Sequence, residues 1–374
     1  MIRRLLLAAS LAIPLCSFAA LPIPPEVAAR SYVVFDAQSG QTLASANADT
    51  HIEPASLTKL MTAYLSFKAV KEGRLKLEQQ LPVSIKAWKS EGSRMFLDIK
   101  VPAKVDDLLK GMIVQSGNDA CVVLAESIAG SEEAFAVMMN AQAQKMGLAN
   151  THFANSAGLP DAQQYTTAND LAKLSQAIIR DFPEFYPIYA MKSFTYNKIK
   201  QDNRNLLLYR DPDVDGLKTG HTASAGYNLV ATSKRGGRRV ISVVTGTTGM
   251  EERARESAKL LDWALLNFET PRLFAARQAI AKVPVYKGVA PEVTVGFAAD
   301  QYISVPQGKA AEIKQEVSLK KHMIAPLAAG QEVGRVRLSL DGQALAEYPL
   351  TVLDAVSEGS WWRRLVDTIR LWFA

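Results

Sequence analysis

Ser56 stands three residues before Lys59 in the stretch EPASLTKLMTAYLSF, residues 53–67. A serine hydroxyl is a poor nucleophile until a base takes its proton, and a neutral lysine can be that base. Positions i and i+3 are neighbours on a helix, so this spacing lets Lys59 reach Ser56. The chemistry also needs a depressed lysine pKa, which burial or a nearby second cation supplies. The same residues have a plain structural reading. Pro54 suits the first turn of a helix, a serine at such a start commonly caps it, and a lysine off the apolar stripe lies in water. Leu57, Leu60, Met61, Tyr64 and Leu65 form that stripe at helical spacing. Ser318 and Lys321 repeat the motif, so the pattern alone decides nothing.

Two further polar clusters bear on it. Lys218-Thr219-Gly220 falls in a short extended run expected to be central to a sheet. Lys218 there can serve as the second cation, and Gly220 allows a close approach to the backbone. Its structural alternative is an edge lysine that discourages aggregation. Ser116-Gly117-Asn118, between two apolar-periodic segments, offers a hydroxyl to relay a proton and an amide to hold a substrate amide; its alternative is helix capping. Ser45-Ala46-Asn47 shows that such a triplet arises by chance. Each cluster is weak alone, and the three together are not.

The elements that must position these residues follow from periodicity. SYVVFDAQSGQTLASA reads as a β-hairpin turning near Gly40. Mostly helical signals run from about residue 86 to 185, with Ser131 and Thr167 as N-caps and Gly147 past a helix end. Strands return at about Val214, and NLVATSKRGGRRVISVVTGT turns at Gly236-Gly237. A helix, EERARESAKLLDWALLNF, closes the region. This order suits an α/β (α+β) sandwich whose mainly antiparallel sheet joins both ends of the domain. From about residue 273 to 356 short strands broken by Gly, Pro and Asp predict a small all-β domain. The second Ser-x-x-Lys lies there, after a strand and without an apolar helix, and reads as surface.

At 374 residues the chain has room for one large domain and a smaller one, and 48% hydrophobic with 21% charged residues describes an ordinary globular protein. Residues 1–19 follow the order of a secretory signal: Arg3 and Arg4, an apolar run, then Ser17-Phe18-Ala19. Cleavage there takes the formal charge from +6 to +4 by removing two arginines. That mild excess, with no basic run interleaved with aromatics, gives no reason to expect nucleic acid. Cys16 leaves with the signal, so Cys121 remains alone and reads as a small buried helix residue. His51, His152, His221 and His322 lack metal-ligand spacing, and neither a metal nor a cofactor is expected.

With the motifs assembled, the chain resembles the serine D,D-carboxypeptidases of peptidoglycan, among the low-molecular-weight penicillin-binding proteins with a C-terminal β-domain. The resemblance rests on the three motifs in order and on EPASLTKLMTAY, SGNDAC, THFANSAGL, TTANDLAKL, QDNRN and VDGLKTGHT, and spans the chain from about Ser31. It implies a domain of the D,D-peptidase and β-lactamase type over residues 20–272 and a reaction with D-Ala-D-Ala stem peptides. Ser56 would attack, Lys59 take its proton, Ser116 and Lys218 shuttle protons, and Asn118 hold the peptide amide. The N–H groups of Ser56 and His221 would form an oxyanion hole; Thr219 and Arg253, with Gly220 beside them and Arg204 of QDNRN near the site, would bind the substrate's carboxylate. β-Lactam antibiotics would act as inhibitors. Gly117 stands where β-lactamases carry Asp, and no Glu-x-x-Leu-Asn segment is present for fast deacylation. D,D-endopeptidase or weak β-lactamase activity, and a non-catalytic peptidoglycan-binding envelope protein, are the competing readings.

Residues 357–374 predict location. Trp361, Trp362, Leu365, Val366, Ile369, Trp372 and Phe373 share one helical face, opposite Arg363, Arg364, Asp367 and Arg370. The stretch is too short and charged to span a bilayer. It suits a helix lying in the membrane interface on the periplasmic face of the inner membrane, the alternative being a helix packed on the β-domain.

Overall fold

The computed structural model describes residues 22–373; the expected signal and Cys16 lie outside them. The chain divides into two compact units, Pro24–Leu273 with Gln301–Gln307, and a second made of Phe274–Asp300 and the chain from Gly308 onward. The segment QYISVP, expected among the strands of the β-domain, thus belongs to the first unit, where Ser304 bonds to Gln41, Ser39 and Thr270.

In the larger unit, strands β1 (Ser31–Asp36), β2 (Thr42–Ala46), β3 (Val214–Thr222), β4 (Gly226–Arg235) and β5 (Arg238–Thr247) form one antiparallel sheet in the order β2-β1-β5-β4-β3. Its two strand groups come from opposite ends of the domain, and β1 pairs with β5 across Val33↔Val243. The run SYVVFD is buried throughout because both faces of the sheet are covered. Val33 and Phe35 enter the helical core on one side, while Tyr32 and Val34 pack against helix α6 (Met250–Asn267) on the other. Gly236 and Gly237 both adopt left-handed φ values, +55° and +83°, at the β4–β5 turn.

Between the strand groups lie helices α1 (Lys59–Lys71), α2 (Val105–Val114), α3 (Asn118–Ala129), α4 (Glu132–Lys145) and α5 (Ala168–Asp181). Ser131 Oγ accepts the Ala134 N–H at 3.1 Å and Thr167 Oγ1 the Asp170 N–H at 3.1 Å, capping α4 and α5. Helix α1 departs from the expected stripe. Residues 59–67 are all buried, Thr62 and Ser66 included, so α1 is the central helix of this body.

The smaller unit is all-β apart from a short helical turn and its last helix. Strands β6 (Ala279–Tyr286), β7 (Glu292–Gly296), β8 (Lys314–Leu319), β9 (Met323–Ile324), β10 (Glu332–Leu340) and β11 (Gln343–Val352) order as β8-β10-β11-β7-β6-β9. In β10, Val336 and Leu338 are buried while Arg335 and Arg337 face solvent, the period of two expected of a sheet with one wet face. Helix α7 (Trp361–Leu371) docks on this unit by its polar side. Buried Asp367 accepts the Lys287 N–H at 2.6 Å, and Arg363 donates to the Val289 carbonyl at 3.2 Å. The apolar side points outward, with Trp361 64% and Trp372 77% exposed. No described helix is long and apolar enough to cross a membrane.

Candidate active site

Ser56 does not begin α1. It sits in a separate 3-10 turn, Ala55–Thr58, entered through Ala55 at φ +47° and followed directly by α1 at Lys59. The tighter turn still superposes i on i+3, and Lys59 Nζ lies 2.9 Å from Ser56 Oγ. Lys59 is fully enclosed and makes a second hydrogen bond, 2.6 Å, to the Ala157 carbonyl. Burial, together with the charge of Arg204, brings its pKa down from about 10.5 to about 8.

The other two clusters converge on this pair. Lys218 Nζ donates to Ser116 Oγ at 3.0 Å and to the Thr219 carbonyl at 3.1 Å. Burial, with the charges of Lys59 and Arg204 added, pushes Lys218 well below the ordinary lysine range. Strand β3 is not central, as the sequence suggested, but the edge of its sheet. Lys218 is nevertheless 3% exposed, because the Ser56 turn packs against that strand. Gly220 has a different reason from the one expected. A Cβ there would meet the Pro54 carbonyl at 3.0 Å and Leu57 N at 3.3 Å, so this glycine lets the nucleophile's turn close onto the strand.

Ser116 holds its hydroxyl in place with a left-handed backbone, φ +64°. At Gly117 a Cβ would approach Asp119 Oδ1 to 2.9 Å and Met95 N to 3.2 Å, leaving no room for a larger residue. Asn118 donates through Nδ2 to the Glu91 carbonyl at 2.6 Å, while its buried Oδ1 has no partner among the described residues.

The cleft above these groups has a volume of about 300 Å³, and Ser56, Ser116, Thr219, His221, Arg204 and Arg253 line it. Arg253, at the start of α6, is 2% exposed; its guanidinium donates to the carbonyls of Gly220 and Arg204 at 3.4 and 3.2 Å. Burial and the Arg204 charge lower it to about 10, so it remains cationic at neutral pH. Arg204 donates to Ser93 Oγ at 2.6 Å. The site therefore gathers two lysines with depressed pKa values, the hydroxyls of Ser56, Ser116 and Thr219, and two guanidiniums, a set able to deprotonate a nucleophile and bind an anion.

Several supporting residues carried no role in the sequence reading. Buried Asp119 accepts the N–H groups of Met95 and Leu97 at 2.9 and 3.2 Å, fixing the loop that carries Ser93. Tyr227 stacks with His221, ring centroids 4.0 Å apart, and lies under the Arg253 guanidinium at 5.6 Å. Asn155 Oδ1 gathers the N–H groups of Ala157, Gly158 and Leu159, shaping the loop whose Ala157 carbonyl meets Lys59. SGNDAC contains Asp119 and THFANSAGL contains Asn155, while Tyr227 lies outside the segments that carried the resemblance. Gly158, φ +85°, seats this loop on the Ser56 turn, where a Cβ would fall 1.8 Å from the Ala55 carbonyl oxygen. Gly158→Ala is expected to destabilise the protein by roughly 3 kcal/mol or more. An unchanged urea midpoint would show that the two segments can separate freely.

Cys121 is fully buried, its Sγ 3.2 Å from the Gly117 carbonyl, and burial pushes the thiol up to about 12. Among the described residues no group of three or more His, Cys, Asp or Glu is placed to hold a metal ion.

Residues 19–249 match the family model described as D-alanyl-D-alanine carboxypeptidase, and residues 268–358 match that of the penicillin-binding protein 5 C-terminal domain. The chain is 43% identical over 357 residues to the D-alanyl-D-alanine carboxypeptidase DacA of Haemophilus influenzae, covering 93% of this chain and 91% of that one. The crystal structure of penicillin-binding protein 5 from Haemophilus influenzae superposes with a TM-score of 0.86 at 44% identity, covering 90% of this chain and 99% of that one. Penicillin-binding protein D2 from Listeria monocytogenes, solved in a cefotaxime-bound form, gives 0.60 at 33% identity, covering 64% of this chain and 98% of that one.

Proposed function

The chain belongs to the D-alanyl-D-alanine carboxypeptidase family of serine peptidases, and from that premise we propose that it removes the terminal D-alanine from peptidoglycan pentapeptide stems through an ester on Ser56. The observation that carries this reading is the 2.9 Å contact between Ser56 Oγ and a buried Lys59. Neutral Lys59 takes the Ser56 proton as Oγ attacks the carbonyl between the two D-alanines. The N–H groups of Ser56 and His221 hold the developing oxyanion, each worth about 3 kcal/mol. Ser116 gives its hydroxyl proton to the departing amine as D-alanine leaves, and recovers one from Lys218, to which the proton taken up by Lys59 is relayed. Water then cleaves the ester and restores the hydroxyl. Arg253, Arg204 and Thr219 meet the free carboxylate, which restricts the reaction to a chain end, and Asn118 holds the peptide amide.

The same nucleophile would be acylated by penicillins, as the cefotaxime-bound relative suggests. Purified protein should release D-alanine from a peptide ending in D-Ala-D-Ala; absence of release from folded protein refutes the reading.

Membership of this family also supports an exported protein acting on cell-wall peptidoglycan. We assign α7 to the membrane interface. Its polar side is occupied by the β-unit, which leaves the tryptophans, Ile369 and Phe373 exposed. Deleting residues 360–374 is expected to move the protein from the membrane pellet to the soluble fraction with D-alanine release retained. A truncated protein that still sediments with membranes refutes the assignment.

A further inference from the structure

A second cleft, about 270 Å³, lies beyond the far end of β3 and shares no lining residue with the catalytic one. Its walls include Arg30, Thr50, His51, Glu53 and Ser224. Glu53 comes three residues before Ser56, and Ser224 lies just past the end of β3.

Two opposite charges line this cleft, and both are tethered to Ser224. Arg30 Nη1 donates to the Ser224 carbonyl at 2.9 Å, and Ser224 Oγ donates to Glu53 Oε2 at 2.6 Å. Thr222 Oγ1 reaches the same carboxylate oxygen at 3.4 Å. Among the described residues Arg30 and Glu53 form no ion pair with each other or with any other side chain. Each keeps hydrogen-bonding capacity: the guanidinium has five N–H donors, and the carboxylate a second oxygen. His51, on the same wall, is stacked on Tyr165 with ring centroids 4.3 Å apart and planes 16° from parallel.

The reading of Ser56 as the acylated serine fixes what passes here. With the leaving D-alanine's carboxylate at Thr219 and Arg253, the acyl part of the peptide continues in the opposite sense along β3, past His221 to Thr222. Residues 221 to 224 span at most about 10 Å at 3.3 Å each. That is within reach of the residue preceding the D-Ala-D-Ala dipeptide and its side chain. We infer that the cleft between Arg30 and Glu53 receives that side chain, and that the preferred side chain ends in both an ammonium and a carboxylate. An ammonium alone would meet Glu53 but also face Arg30, and a carboxylate alone the reverse. A group carrying both charges satisfies each wall and is repelled by neither.

The inference rests on the proposed function, and the test separates the two. Three Nα-acetylated peptides X-D-Ala-D-Ala would be compared, X being meso-diaminopimelate, L-lysine or Nε-acetyl-L-lysine, with kcat/KM for D-alanine release as the readout. The diaminopimelate peptide is expected to exceed the acetyl-lysine peptide by about ten-fold or more, the size of one charged hydrogen bond. Glu53→Gln and Arg30→Gln should each bring that ratio down toward one. A merely structural role for either residue would slow all three peptides alike and keep the ratio. A wild-type ratio near one, or a ratio that survives either substitution, overturns the inference while leaving the carboxypeptidase reading intact. No release from any of the three peptides overturns both.

Discussion

Ser56→Ala is expected to release no measurable D-alanine from a D-Ala-D-Ala peptide and to take up no fluorescent penicillin. Loss of a nucleophile that works as one unit with its base costs about 10⁶-fold in kcat. The substitution removes one oxygen from a half-buried position and leaves the packing of the turn in place. Lys59 keeps its hydrogen bond to the Ala157 carbonyl, so the variant should fold, and an unchanged thermal midpoint would make the loss chemical. The label gives a second discrimination. In the unsubstituted protein it should form at Ser56 and persist for hours, since among the described residues no carboxylate lines the catalytic cleft to activate water. Loss of the label within seconds would point to a β-lactamase. D-Alanine release that survives Ser56→Ala would remove this serine from the reaction altogether.

The residues at the centre of the cleft were legible because their chemistry is local: a hydroxyl and an amine three positions apart need only one turn of chain. The sandwich was legible too, since its strands and helices carry distinct periodicities. What the sequence concealed were relations between distant segments. Lys218 could be named as a cation, but nothing in VDGLKTGHT says that the strand lies at a sheet edge and is buried by the Ser56 turn. Gly220 reads as a place for a substrate to approach and Gly158 carries no signal of its own, yet both are sites where another segment of this chain closes in, at Pro54 and Ala55 respectively. Asp119 sits beside Asn118 in sequence but acts on a loop more than 20 residues earlier. The 3-10 turn at Ser56 was hidden by Pro54, which suits a helix start of either kind. In α7 the amphipathic pattern was plain, but only the docking of Asp367 on the β-unit shows which side is left to face outward.

Acylation should rise with pH through an apparent value of about 8, and Lys59→Met should both abolish that dependence and slow acylation by roughly 10³–10⁴-fold, the upper range for a general base. The direction follows from the protonation state that each step needs. Below pH 8 Lys59 is mostly an ammonium, with no lone pair for the Ser56 proton, and the rate falls about ten-fold per pH unit. Above pH 8 it is mostly neutral and the rate levels off. Burial is the main cause of the low value, with the Arg204 charge added. Arg204→Gln should therefore shift the profile upward, toward the ordinary lysine range, because it removes a cation that disfavours the ammonium. An upward shift cannot come from a merely structural role for Lys59. Burial, with the charges of Lys59 and Arg204 added, likewise holds Lys218 well below the ordinary lysine range. Single-turnover acylation by a penicillin measures this step without the later hydrolysis. A profile flat between pH 6 and 9, or a Lys59→Met variant acylated at the unsubstituted rate, would show that another group takes the proton from Ser56.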